Sequence, residues 1–518
     1  MRALRLSLLI YLCFGLFSCS RSDRPAPEPQ PPHDILRLAV PYEITSLDPH
    51  YRTTLSSFSI LTSFYESLVT ADSQLKIQPM LAERWENPDP NTWLFHLNRT
   101  AKFSDGKPLV AEDVVYSIER LLKETNLETS SYASGVTHVS AVSAGTVRIQ
   151  TAQPNPVFLN RIQYISIIRR GSTSGFLEKT VLGTGPYKLA EWKQGNLIRI
   201  LRNENYWGRK PSVREVTYNL ARGPEEALAM VLNGQCDFAQ YNRKGAESRI
   251  GDSEKLQIVK HPNLFLKLIA FNSTREQISG LNLDRNPFKY PGVRRAVHLA
   301  IDRTELIRKI STEGVPAIQP VPAFVFGFCP DISEPMYDPE SARELLKKAG
   351  LSNGFKATLH TRNILEDDAG ALKEQLERVG IQLTLLLHTD AEYFSARESG
   401  KTGMVLDQFG STTGDASEVL NDAFHSPDLQ AGYGRYNYGD YINPEFDGLI
   451  EEMNRVENME SRRVRLEKLM IKSMEELFWI PLYYSQDIYI VNNVWLWKPR
   501  ADSHVFARDF HLRGEPVQ

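Results

Sequence analysis

The stretch AGALKEQLERVGIQLTLLL, residues 369–387, decides the fold class. Ala369–Val379 reads as a helix and Gly380 closes it, since glycine takes the left-handed turn at a helix end without a Cβ penalty. IQLTLLL (381–387) follows at once. A short continuous apolar run of this kind reads as a buried strand. A helix passing directly into a strand is the pattern of an open sheet covered by helices. YDPESARELLKKAG (337–350) repeats the helical half of that pattern. Asp338 caps it, Pro339 takes the first helical position, Ala342, Leu345, Leu346 and Ala349 form the apolar stripe, and Gly350 stops it.

The remaining periodicities agree with a mixed α/β chain. ILRLAVPY (35–42) alternates like a strand, and TVRIQTA (146–152) and IRILRN (198–203) read as strands too. Glu112–Leu122 reads as a helix with Val114, Ile118, Leu121 and Leu122 on one face, and Glu112 and Asp113 suit its positive N-terminal end. Met459–Phe478 is a long late helix, and IPLYYSQDIYIV (480–491) returns to strand. No internal repeat is visible.

At 518 residues, 42% hydrophobic and 24% charged, the chain is long enough for two or more domains. The net charge of −3 and the absence of long like-charge runs argue against a nucleic-acid surface. Met1–Ser18 has the layout of a signal peptide: Arg2 and Arg5, then an apolar run from Leu6 to Phe17 too short to span a bilayer. Without those two arginines the balance is 58 basic against 63 acidic residues, or −5. Leu16-Phe17-Ser18-Cys19 resembles a bacterial lipobox, with Phe17 bulkier than usual, which implies lipid chains on Cys19. Each buried CH₂ of such chains contributes roughly 0.8 kcal/mol to anchoring. Residues 20–33 hold Pro25, Pro27, Pro29, Pro31 and Pro32, a spacer of ~40 Å if extended at ~3.1 Å per residue. Cys236 and Cys329 remain after export, and both a disulfide and two buried thiols are compatible with their spacing.

The chain has no HExxH, GxSxG or Walker phosphate loop, and GTGPYK (183–188) lacks the third glycine of a dinucleotide turn. No histidine pair stands at ligand spacing. The motifs therefore point to no enzyme, no metal and no cofactor.

Aromatic and glycine landmarks carry a resemblance instead. LAERWENPDPNTWLFHLNRTAKFSDGKPLVAEDVVYSIERLL (81–122) resembles the N-terminal signature of the family 5 extracellular solute-binding proteins, through Ala82, Trp85, Trp93, Phe95, Phe103, Asp105, Gly106, Pro108, Leu109, Ala111, Glu112, Asp113 and Val114. GTGPYKLAEWKQGNLIRILRNENYWG (183–208), FNSTREQISGLNLDRNPFKYPGVRRAVHLAIDRTELI (271–307) and YDPESARELLKKAG (337–350) match further family motifs in the right order. Taken as fold landmarks, Trp85, Trp93, Tyr187, Trp192 and Trp207 belong to the core.

The resemblance implies an α/β, two-lobed, periplasmic-binding-protein-like clamp of the type II, large peptide-binding class, with an extra subdomain in the first lobe. It assigns 34–68, 182–266 and 486–518 to the first lobe, 69–181 to the inserted subdomain and 267–485 to the second lobe. It further implies a monomer outside the cytoplasm, held to a membrane by its lipid, that closes on a small solute and delivers it to ABC permease subunits. An oligopeptide or dipeptide is the expected cargo. A nickel chelate, a sugar, or use of the fold as a surface adhesin or receptor are the alternatives. Arg362, in LHTRN (359–363), stands where peptide binders carry an arginine for the ligand carboxylate. LDQFGSTTGDASEVLND (406–422) stands for the cleft loop, with Phe409 replacing a tryptophan, Thr412 the aspartate that anchors a free amino group, and Ala416 a proline. A threonine hydroxyl cannot form that ion pair, so Asp407 or Asp415 is the expected substitute. Gly410, Ser411 and Thr412 would offer small polar contacts, and Thr45 and Ser46 would face the cleft from the first lobe.

Overall fold

The computed structural model describes residues 34–514, apart from 42–43, 52–53, 125, 334–335, 401, 429–430, 438, 457 and the side chain at 398. The signal segment, Cys19 and the proline-rich spacer lie outside the described residues.

An eleven-stranded sheet runs through the molecule. Its order is Ile381–His388, Phe355–Arg362, Met404–Gly410, Leu256–Phe271, Trp479–Asn492, Phe238–Gln240, Ile35–Val40, Glu215–Leu220, Leu197–Arg202 and Tyr187–Lys193, with Gly314–Pro316 added on Trp479–Asn492. Leu256–Phe271 and Trp479–Asn492 are the long members, and they pair antiparallel along almost their whole length. The register shifts twice near the middle, between Pro262 and Leu266 and again between Lys267 and Leu268. Pro262 faces Gln486, yet the next partner of Tyr484 is Leu266, so extra residues bulge from one strand. A bulge bends a strand and raises its local twist. The sheet therefore turns there, with one set of cores on either side of the turn.

Strand alternation builds those cores. Beyond the bulge, Leu266, Leu268 and Ala270 enter one core, while Ile269 and Phe271 enter the other on the opposite face. Before it, Leu36 and Leu38 join Tyr489 and Val491 on one face, and Ala39 joins Ile488 and Ile490 on the other. A separate core belongs to a four-stranded antiparallel sheet, Ala82–Asp89, Thr92–Leu97, Thr146–Thr151 and Val136–Ser143, covered by the helix Ala111–Lys123. The result is a two-lobed α/β clamp with an additional small subdomain.

Local expectations hold at most elements. Asp338 caps Pro339–Lys348 by accepting from Ser341 N (2.9 Å), and the late helix runs Met459–Glu476. The helix expected from Ala369 begins at Glu366, one turn earlier. IQLTLLL is a strand, Ile381–His388, but not a buried one. It is the edge of the sheet, and Leu386 and Leu387 are 41% and 37% exposed. Its apolar run reads like a central strand because sequence records hydrophobicity, not sheet position. Tyr187 and Trp93 are buried, and Trp85, Trp192 and Trp207 pack half-buried on the cores. Gly183 and Gly185 have a steric role: a Cβ on Gly185 would lie 2.5 Å from the Ser63 carbonyl oxygen. Cys236 and Cys329 are free, buried thiols in different cores, and burial pushes the Cys236 thiol up to about 12. Among the described residues no helix is long and apolar enough to cross a membrane.

Candidate functional site

In chain order the parallel strands at one end of the large sheet are Phe355–Arg362, Ile381–His388 and Met404–Gly410, but in space Phe355–Arg362 is central. The connection therefore reverses between Phe355–Arg362 and Met404–Gly410. Such a reversal opens a crevice at the carboxyl ends of the strands, where open α/β sheets bind ligands. Arg362 ends one of those strands and Asp407–Gly410 the other.

Arg362 reaches Asp407 Oδ1 through one amino group (3.3 Å) and stands 3.7 Å from Asp390 and 6.0 Å from the Tyr393 ring centroid. Its Nε has no hydrogen-bond partner among the described residues. The guanidinium thus holds only part of the bidentate geometry it can offer a carboxylate. Asp407 is buried, and that burial pushes its carboxyl up against the opposing pull of the Gln408 N–H, Arg362 and Arg397. On the other face of the sheet Lys267 donates to Gln408, and burial lowers its pKa to about 8.

The cleft loop divides into packing residues and exposed residues. Phe409 is core, edge-on to Tyr436 and Trp479. Gly410 is there because a Cβ would meet the Phe265 ring at 2.7 Å. Asp415 is taken up by Arg462, which is fully buried and donates to both carboxylate oxygens (2.5 and 2.9 Å). Removing one member of such a pair strands a buried charge, so Asp415 anchors the loop. Ser46 accepts from Asp48 N (3.1 Å) in a local turn, and Thr45 is exposed beside it. Asp48 is in turn bound to buried Arg120 (2.6 Å).

Glu418, six residues beyond Thr412, is the carboxylate that sequence reading missed. It accepts from Ser411 Oγ (3.2 Å), Thr412 Oγ1 (2.9 Å), Thr413 N (2.8 Å) and Thr413 Oγ1 (2.8 Å). Burial pushes its carboxyl up, and those four donors pull it back. Oε2 takes three of the bonds and Oε1 one, so Oε1, beside exposed Thr412, keeps acceptor capacity. Asp422 lies close enough for Glu418 to add to burial in raising it to about 7, with Arg161 and Arg435 opposing. The signal available in the sequence was a run of three hydroxyl residues, Ser411-Thr412-Thr413, ahead of a lone glutamate.

The same loop touches the opposite side of the cleft. Tyr164 OH donates to the Thr412 carbonyl (3.0 Å) and Asn160 Nδ2 to the Thr413 carbonyl (2.7 Å). The Leu75 side chain closes against Gly414, where a Cβ would meet it at 2.9 Å. Crevice, arginine, acid and a seam spanning two separately cored bodies define a ligand clamp, a protein that binds by enclosing. The comparisons agree. The model of the bacterial extracellular solute-binding proteins, family 5 (middle region), matches residues 76–430. The chain belongs to that family. It is 26% identical over 467 residues to the glutathione-binding protein GsiB of Salmonella choleraesuis (strain SC-B67), covering 86% of this chain and 88% of GsiB. Among solved structures, HbpA2 from Haemophilus parasuis superposes with a TM-score of 0.82 at 19% identity, over 92% of this chain and 100% of that one. The unliganded open form of the periplasmic murein tripeptide binding protein MppA gives 0.79 at 20%, over 92% and 97%. At these identities the two structures speak for the fold.

Proposed function

We propose that this protein captures short peptides with a free amino group and a free carboxylate, and delivers them to an ABC permease. The observation that carries the reading is Glu418, an acid presented beside exposed Thr412, with Arg362 in the crevice of the same lobe. Opposite charges at two fixed points suit a zwitterionic chain, and the acid takes the part that Thr412 cannot. Asp407 and Asp415, the substitutes expected from sequence, are already engaged by arginines. The glutathione and murein-tripeptide cargoes of GsiB and MppA support a ligand of this size class.

The lobe boundaries belong to the same proposal: 34–68, 182–266 and 486–518 against 267–485, with 69–181 inserted. The register break at Pro262/Leu266 supports a hinge at that division, and closure is favoured by any ligand that touches both sides. A monomer held outside the cytoplasm by lipid on Cys19, through the proline-rich spacer, completes the reading. Mass spectrometry of the intact exported protein tests that last part.

Calorimetry with di- to pentapeptides, free and N-acetylated, tests the cargo. Free peptides are expected to bind, and Glu418→Gln and acetylation each to weaken binding by roughly tenfold or more, as for loss of a hydrogen bond to a charged group at about 1.5–3 kcal/mol. Equal affinity for acetylated peptide would remove the amine anchor. Absence of binding by every peptide would remove the cargo class.

A further inference from the structure

Asp487 is 2% exposed, and its partners are neutral donors from several segments. Oδ1 accepts from Gln240 Nε2, Asn242 Nδ2 and Asn263 Nδ2, each at 3.0 Å. Oδ2 accepts from Tyr489 OH (3.0 Å) and Ser503 Oγ (2.5 Å). A carboxylate offers about four acceptor positions, so this one is saturated and holds nothing in reserve for a ligand. Gln240 ends the strand Phe238–Gln240 and Asn242 follows it. Asn263 lies in the bulged stretch of Leu256–Phe271, and Ser503 in the C-terminal segment.

The network stands where the two long strands lose their register. His261 is the cross-strand partner of Asp487 and Pro262 that of Gln486, and the first shift comes directly after. Asn263 ties the network to the bulge, since its Oδ1 accepts from Phe265 N (2.9 Å) while its Nδ2 donates to Asp487. Asn242 ties it to the other strand, accepting from Ile488 N (2.9 Å). Ser503 holds φ at 60°, a left-handed conformation that a non-glycine residue keeps only where its surroundings over-determine it. Its bond to Asp487 is part of that constraint. In the lobe division proposed above, all these residues belong to the first lobe, beside both crossings to the second.

We propose that Asp487 is the positioning residue of the hinge: it pins both crossing strands to the first lobe, so that bending is confined to the bulge just beyond it. Without the pin the strands flex over a longer span, and the second lobe moves about no single axis. The inference rests on the proposed lobe division. Pulsed electron resonance on the full chain tests it, with spin labels carried by noncanonical residues so that the native cysteines stay untouched. Leu232 and Val464, exposed on helices of the two proposed lobes, make the interlobe pair, and Leu201 with Leu232 makes a pair within the first lobe. The interlobe distance distribution is expected to widen by roughly twofold or more in Asp487→Asn and Asn263→Ala, because hinge motion spreads when its few fixed residues are freed. Ser503→Gly, which loses one donor but suits φ 60°, should widen it less. The pair within the first lobe should not change in any of the three. Gly185→Ala, strained elsewhere in the first lobe, should leave both pairs as in wild type, which a general loosening of the fold would not. Thermal melts identify a variant that has failed to fold, and the remaining ones decide. Unchanged interlobe widths, or equal widening in Gly185→Ala or in the pair within the first lobe, would overturn the role of Asp487 and leave the division standing. An interlobe pair no broader than the pair within the first lobe, in every protein, would overturn the division as well.

Discussion

The seam bonds to the cleft loop make a quantitative prediction about closure. Tyr164 OH and Asn160 Nδ2 donate to the carbonyls of Thr412 and Thr413 at 3.0 and 2.7 Å. In the proposed lobe division both acceptors are backbone atoms of the second lobe and both donors lie outside it, so opening of the halves would break both bonds. Tyr164→Phe keeps the ring, which stacks on Tyr132 at 4.7 Å and contacts Phe58 at 5.0 Å, and deletes the donor alone. Asn160→Ala deletes the other. At about 0.5–1.5 kcal/mol per bond the double variant loses roughly 1–3 kcal/mol of closure, a shift of roughly 5- to 150-fold toward the open form. Ligand affinity falls by up to the same factor, because apparent affinity scales with the fraction of the protein that can close. Small-angle scattering of the ligand-free protein and calorimetry with a bound peptide read the two effects. Each single variant should show part of the effect. A double variant with wild-type scattering and wild-type affinity would refute the idea that these carbonyl bonds hold the halves together.

Two further outcomes follow from packing and titration. Gly185→Ala drives a Cβ into the backbone of Ser63 and Phe64, at 2.5–2.8 Å, where no flexible side chain can yield; a loss of about 1–3 kcal/mol in denaturant unfolding is expected, and an unchanged midpoint would contradict the geometry. His298 is buried, accepts from Arg303 at Nδ1 (3.3 Å), and burial together with Arg303 lowers its pKa to about 3. Its neutral form is the folded one, so its contribution is full above the unfolded value near 6.5 and is lost as pH falls toward the folded value. Between pH 7 and 5 that amounts to roughly 2 kcal/mol. Urea unfolding at the two pH values should show a correspondingly smaller difference in His298→Gln, and equal differences in both proteins would rule out His298 as a source of acid sensitivity.

Much of this molecule is determined locally and can be read from residues. The cap at Asp338, the αL glycine at Gly350 (φ 78°) and the alternation of Ile35–Val40 need no partner to be recognised. Helix followed by strand at 366–388 specifies an α/β sheet for the same reason: periodicity is a property of neighbours in sequence. Sequence also supplied the cleft loop as a candidate and exposed the missing charge at Thr412. Tertiary structure decided what that loop does. Phe409 belongs to the core, Asp415 to Arg462 and Asp407 to Arg362, because each partner comes from a distant segment that the pattern around the residue does not encode. Glu418 gathers the hydroxyls of Ser411, Thr412 and Thr413 only once the chain folds them back onto it. The edge position of Ile381–His388 and the bulge opposite Ser485 are likewise products of pairing between remote strands. A sequence lists which groups a protein owns; burial and long-range pairing determine which of them remain free to meet a ligand.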